Sequence, residues 1–142
     1  MRTEVSDKTI IITGVDGGIG GACAKFALES GGKVIGLVQN KEKLTEFTKS
    51  YCKNHEANFQ LVEMDLCDSD SISNAAREVV SLSGGEVHGL INCAGIASGA
   101  RFGNVRMSDV ENDFQVQFSE ALLGMCRLVP RTLMHNRFIP WF

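Results

Sequence analysis

The chain has 142 residues, enough for one domain whose fold removes roughly 70% of the unfolded chain's surface from water. Its 14 basic and 17 acidic side chains leave a net charge of −3 with no basic stripe, which argues against nucleic acid as a partner. No apolar run approaches membrane-spanning length, and the polar start (Arg2, Glu4, Asp7, Lys8) lacks the apolar core of a signal peptide, so a cytoplasmic chain is expected.

The elements alternate along the chain. Residues 8–13, rich in β-branched side chains (Thr9, Ile10, Ile11, Ile12), read as a strand buried on both faces. Ile19, Ala22, Cys23, Phe26 and Ala27 then follow the spacing of a helix with one apolar face, and Gly31-Gly32 ends it. Residues 33–38 give a second strand. Residues 41–53 give a charged helix with Leu44, Phe47 and Tyr51 on one face. A third strand covers 59–64 and stops at Asp65. A helix over 69–82 turns Ile72, Ala75, Ala76, Val79 and Val80 inward, and Gly84-Gly85 breaks it. Residues 87–93 form a fourth strand that opens into a loop over 95–103. A long helix is expected from Ser108 to about 136, with Ser108 and Glu111 as a capping box and a stripe of Val110, Phe114, Phe118, Leu122, Met125, Val129 and Leu133. Pro130 should bend it or loosen a turn.

Alternation with short connections predicts an α/β fold with a doubly wound parallel sheet in the strand order 3-2-1-4. In such sheets ligands bind at the carboxyl ends of the strands. The residues to watch are therefore those at the first turn, at Val38-Gln39, at Asp65-Leu66 and from Asn92 to Gly95.

The first of these turns is the most telling. Thr13-Gly14-Val15-Asp16-Gly17-Gly18-Ile19-Gly20 lies where the pattern changes from strand to helix. Glycines let backbone approach a phosphate, and a helix N-terminus offers unpaired N–H groups with partial positive charge. The spacing of Gly14, Gly18 and Gly20 resembles the T-G-x-x-x-G-[IL]-G motif of the short-chain dehydrogenase/reductase family. Asn92-Cys93-Ala94-Gly95 resembles that family's N-N-A-G, and Asp65-Leu66 its Asp-hydrophobic pair. The resemblance runs over nearly the whole chain and implies a Rossmann-like fold, truncated after the fourth strand and its helix. Residues 1–136 would form an incomplete NAD(P)-binding unit, and 137–142 an atypical apolar tail.

On that resemblance the cofactor residues are Gly14, Asp16, Gly18, Ile19, Gly20, Gln39, Asp65, Leu66, Asn92, Ala94 and Gly95. Asp65-Leu66 would hold the adenine amino group, Asn92 would steady the sheet, and Ala94 and Gly95 would pass close to the nicotinamide ribose. Val38 occupies the position of the family's NAD-favouring acid and Gln39 that of its NADP-favouring arginine. Asp16 adds negative charge near the phosphate site and leans the reading towards NAD, while Lys41 or Lys43 would reverse it, so NAD and NADP both stay open.

Other polar candidates carry less. His55, His88 and His135 lie in different segments without carboxylates at metal-ligand spacing and read as surface histidines, so no metal site is expected. Arg127 and Arg131 read as a solvated helix face. The five cysteines are odd in number, scattered and never C-x-x-C, which suggests neither a disulfide framework nor a zinc site. Cys23 and Cys126 read as small buried hydrophobes.

The resemblance also implies what is missing. The family's acid/base pair, Y-x-x-x-K, and its substrate-binding Ser come later than this chain reaches. Its single tyrosine, Tyr51, has no lysine four residues on. Gln117 stands where the family has an Asn in the long helix. Arg137-Phe138-Ile139-Pro140-Trp141-Phe142 falls where a fifth strand should begin, and Pro140 does not suit a central ladder. The expected function is an NAD(P)-dependent oxidoreductase of this type, acting on alcohol or carbonyl groups of a small molecule, with this chain lacking the catalytic part. The alternative is a non-catalytic nucleotide-binding or regulatory product. The partners expected are the dinucleotide and, through the 108–136 helix, a second copy; a small-molecule substrate is expected only for a longer form.

Overall fold

The computed structural model describes residues 5–96 and 104–119. The chain order is β1 (Thr9–Thr13), α1 (Gly18–Glu29), β2 (Lys33–Val38), α2 (Glu46–Asn54), β3 (Phe59–Glu63), α3 (Ser69–Ser83), β4 (Gly89–Asn92) and α4 (Met107–Phe114). All pairings are parallel and the sheet order is β3-β2-β1-β4, as the alternation predicts. Ile11 sits beside Ile35 on one side and Leu90 on the other, so β1 and β2 form the middle of the sheet.

The two-residue period of the strands divides the core into two layers. Ile11, Ile35, Leu37 and Val62 pack on one face with Ile72, Ala75, Ala76 and Val79 of α3. Ile12, Val34, Val38 and Phe59 pack on the other with Ala24, Ala27 and Leu28 of α1. Strands apolar on both faces therefore did signal a buried parallel sheet. Gly36 in β2 has a packing reason: a Cβ there would lie 2.5 Å from Val15 Cγ1.

Several predicted details are corrected. In α1 the buried positions are Gly20, Gly21, Ala24, Ala27 and Leu28, while Ile19 and Phe26 are 76% and 65% exposed. The helix lies so close to the Gly14 turn that only small side chains fit beneath it, and the larger apolar residues turn outward. The expected single helix over 41–53 is instead a 3₁₀ turn (Lys41–Lys43) followed by α2. Asn40 Oδ1 accepts the Glu42 N–H at 2.8 Å, and Thr45 Oγ1 accepts the Thr48 N–H at 3.3 Å. Each is a cap for its own piece, which is why the pattern breaks between them.

In α3 the inward row is complete with Ile72, Ala75, Ala76 and Val79, and Val80 points outward at 52% exposure. Strand β4 is shorter than the apolar run over 87–93. Its entry is held instead by His88, whose N–H donates to Thr9 O at 2.8 Å and whose Nδ1 accepts the Thr9 N–H at 3.1 Å. His88 is exposed as expected, yet ties the sheet.

Helix α4 starts at Met107 with Arg106 before it, rather than at Ser108. Asp109, not Glu111, reaches back: its carboxylate accepts the Arg106 backbone N–H at 3.3 Å and the guanidinium at 3.2 Å. Val110 and Phe114 of the expected stripe are exposed, and Val116 in the π-helical turn Gln115–Ser119 is buried instead. Of the rest of that stripe, Leu122, Met125, Val129 and Leu133 lie outside the described residues, as do Pro130, Cys126, His135 and the 137–142 tail. No described helix is long and apolar enough to cross a membrane.

Candidate functional site

A cleft of about 480 Å³ opens at the carboxyl ends of the four strands. Of the eleven residues the sequence singles out, Gly14, Asp16, Gln39, Asp65, Leu66, Ala94 and Gly95 line it. They come from four separate turns and meet only because the strand order is 3-2-1-4.

The turn after β1 is shaped by close backbone contacts. Gly14 adopts φ +62°, and a Cβ on it would lie 2.7 Å from Ala94 Cα. Its N–H donates to Leu37 O at 2.9 Å, which ties the turn to the end of β2. The Gly17 N–H donates to Gly14 O at 3.0 Å. Gly17 then serves as N-cap of α1 in extended conformation, with no side chain capping the helix and no acidic residue in its first turn. The first N–H groups of a helix have no partner inside it, so the exposed Gly18 and Ile19 present donors and the positive end of the helix dipole.

Four predicted residues do not line the cleft. Gly20 is buried, and a Cβ there would stand 2.2 Å from Gly14 O, so its part is to let α1 sit on the turn. Gly18 and Ile19 lie at the exposed start of α1, and Asn92 ends β4 beside Thr13.

Asp65 follows β3 and leads into the next helix. Its Oδ1 accepts the Cys67 N–H at 2.8 Å, and its own N–H donates to Ser71 Oγ at 2.9 Å. The turn and the cleft wall are thus the same structure. Asp68 caps α3, its Oδ1 accepting the Asp70 and Ser71 N–H groups at 2.8 and 3.3 Å. At the end of β2, Val38 is buried in the α1-side core, whereas Gln39 lines the cleft. Lys41 lies 3.7 Å from Glu78, and its backbone N–H meets Glu63 Oε2 at 3.4 Å.

Thr13 ties two of these turns together, a role its place in the motif does not reveal. Its buried Oγ1 accepts the Cys93 N–H at 3.1 Å and the Ala94 N–H at 3.0 Å, locking the loop after β4 onto the Gly14 turn. A hydroxyl residue ending an otherwise apolar strand is the signal that marks it. Met64, Cys67, Cys93 and Ile96 also line the cleft, as do Gly17 and Leu37. From above, Asn112 and Val116, four residues apart, complete the wall. Cys67 Sγ donates to Asn112 Oδ1 at 3.6 Å, and Gln115 Nε2 donates to Cys67 O at 3.5 Å. Gln117 Nε2 donates to the Ile96 carbonyl, and the same amide lies against Gly95.

Two thiols share the α1-facing side of this region. Burial pushes the Cys93 thiol up, and the neighbouring Cys23, as a charge and as a hydrogen-bond partner, adds to the shift. Tyr51 is stacked on His55, with ring centroids 5.7 Å apart, and does not line the cleft.

The profile of the short chain dehydrogenase family matches residues 8–137. The chain belongs to this family. Among curated relatives, the NADPH-dependent 1-acyldihydroxyacetone phosphate reductase of Schizosaccharomyces pombe is 31% identical over 114 residues, 80% of this chain and 36% of that protein. Dehydrogenase/reductase SDR family member 7B of Bos taurus is 31% identical over 102 residues, 68% of this chain and 31% of that protein. The NADPH-bound carbonyl reductase from chicken fatty liver superposes with a TM-score of 0.81 at 24% identity, covering 92% of this chain and 50% of that one. A short-chain dehydrogenase/reductase from Brucella melitensis gives 0.80 at 21% identity, over 93% of this chain and 54% of that one. This short-chain dehydrogenase chain thus spans about a third of the length of the first two relatives and half of the two solved chains.

Proposed function

We propose that residues 1–136 are the dinucleotide-holding unit of an NAD(P)-dependent oxidoreductase that acts on alcohol or carbonyl groups of a small molecule. The observation that carries this reading is the cradle at Gly14. Backbone from β1, the start of α1 and the loop after β4 come together there, packed so closely that no side chain fits at Gly14 or Gly20. Such a cradle suits a pyrophosphate facing the uncapped start of α1. Asp65 and Leu66 would receive the adenine, with Asn112 and Val116 closing over it. Ala94 and Gly95 would flank the nicotinamide ribose, where their small size leaves room. When bound, the nicotinamide supplies or accepts the hydride.

The lean towards NAD finds no support. Val38 points into the core and Gln39 is neutral, so β2 puts no carboxylate at the ribose end of the cleft, and Lys41 stands two residues on. The exposed Lys41–Glu78 pair is weak enough to yield to a phosphate. The fission-yeast relative, by its name, uses NADPH. We therefore take NADPH as the better ligand.

This chain offers no phenol to the cleft, since its one tyrosine is on α2. Binding without turnover is expected of residues 1–142. The test is to titrate the purified chain with NADPH and NADH by fluorescence and to assay carbonyl reduction. Saturable binding, tighter for NADPH, supports the reading; failure to bind either dinucleotide by a chain with native circular dichroism overturns it. Turnover would overturn the assignment of the catalytic groups elsewhere.

A further inference from the structure

The thiols of Cys23 and Cys93 have no role in holding the dinucleotide, yet the fold brings them together, Cys23 from α1 and Cys93 from just after β4. Along β4 and into the loop after it the side chains divide between the layers: Ile91 and Cys93 join the α1-side core, while Leu90 and Ala94 join the α3-side core. Cys93 therefore faces α1, where Cys23 is half-buried beside Ala24 in the same cluster. The backbone that carries Cys93 is fixed by its N–H on Thr13 Oγ1, and that of Cys23 by the helix. Both sulfurs are free thiols, and Cys93 also lines the cleft.

We propose that Cys23 and Cys93 form a dithiol modification site, closed by a peroxide into a reversible disulfide that ties the cleft wall to α1. Burial and the neighbouring Cys23 push the Cys93 thiol up, so the proposal gives Cys93 the second, resolving attack. The Cys23 thiolate attacks one peroxide oxygen, an S–O bond forms, the O–O bond breaks, and the released hydroxide takes a proton to become water. The Cys93 sulfur then attacks the Cys23 sulfenic acid. An S–S bond forms, the S–O bond breaks, and the Cys93 proton leaves with the hydroxyl as a second water. Two thiols are oxidised by two electrons and one peroxide is reduced to two waters. The site needs no bound dinucleotide, so its test stands apart from the proposed function.

The full chain is treated with a small excess of hydrogen peroxide, remaining thiols are alkylated, and tryptic peptides are mapped without reductant. A Cys23–Cys93 linked peptide is expected, from a monomeric chain that has lost two hydrogens and regains them with dithiothreitol. Each single substitution removes the linked peptide by construction, so its readout is the sulfur left behind: with circular dichroism unchanged, Cys93→Ser should leave Cys23 as a dimedone-reactive sulfenic acid that the unsubstituted chain does not accumulate. Phenylarsine oxide, which bridges paired thiols, is a second probe: it should bind one equivalent to the reduced chain and none after either substitution. Peroxide that leaves both cysteines separately sulfinylated, or that links either one to Cys52, Cys67 or Cys126, overturns the proposal. So does arsenical capture without any disulfide, since the pair would then be close but not closable.

Discussion

Thr13 shows how one side chain can set a site without touching a ligand. Its hydroxyl oxygen receives two backbone donors, from Cys93 and Ala94, and so fixes how far the loop after β4 stands from Gly14. The Gly14 contact leaves no slack, because a Cβ would already be 2.7 Å from Ala94 Cα. Thr13→Val keeps the shape and removes the acceptor, leaving two N–H groups unpaired at a half-buried place. Such a loss costs roughly 1–3 kcal/mol. Urea unfolding should show a lower midpoint with an unchanged slope, and NADPH affinity should fall with it. An unaltered midpoint would mean that water replaces the hydroxyl and that Thr13 does not position the loop.

At the scale of elements, the sequence was legible where the pattern reports backbone and illegible where it reports roll. Gly14, Asp65, Ala94 and Gly95 were readable because glycine, small residues and a turn-forming Asp at strand ends have few other reasons to be there. Cys67, Asn112 and Val116 were not, because they meet only once α4 lies across the turn after β3. The apolar period of α4 pointed to Val110 and Phe114, yet the residues that meet the cleft are Asn112 in α4 and Val116 in the π-helical turn after it. In α1 the apolar period pointed to Ile19, Ala22, Cys23, Phe26 and Ala27, of which Ala27 is buried while Ile19, Ala22 and Phe26 are exposed; it passes over Gly20 and Gly21, which close packing on the turn selects. The start of α4 adds a pH dependence. The Arg106 guanidinium beside Asp109 holds its carboxyl below the ordinary range. A group whose folded pKa is depressed stabilises above its unfolded value and loses that contribution as pH falls through the folded one. Amide exchange at Asp109 and Val110, corrected for intrinsic rates, should therefore hold steady down to about pH 4, the ordinary aspartate value, and quicken as pH falls below it. Asp109→Asn should flatten that response, and an identical response in the variant would remove Asp109 as its source.

For the molecule as a whole, the layers predict where stability resides. Strands β1 and β2 are flanked on both sides by paired strands and covered on both faces, with Ile11, Ile12, Val34 and Leu37 almost completely buried. Strand β4 has only four residues, is partly exposed throughout, and pairs with β1 alone among the described strands. Opening free energies follow buried contacts and protected hydrogen bonds, so the sheet should not exchange as one unit. Native-state hydrogen exchange is expected to be slowest at the amides of β1 and β2 and to quicken through β3 to β4 and α4. The cleft crosses this gradient, since its wall joins the firm Gly14 turn to the looser 93–96 loop and to Asn112 and Val116 above. A dinucleotide that binds only the assembled cleft stabilises the state with all of these in place. NADPH should therefore slow exchange most at Ala94–Ile96 and in α4, and least in β2, which is already protected. Uniform slowing would point to global stabilisation, and protection confined to the start of α1 would show a phosphate site without the rest of the cleft. Exchange in β4 as slow as in β2, before any ligand is added, would mean that strand is held by more than its contact with β1.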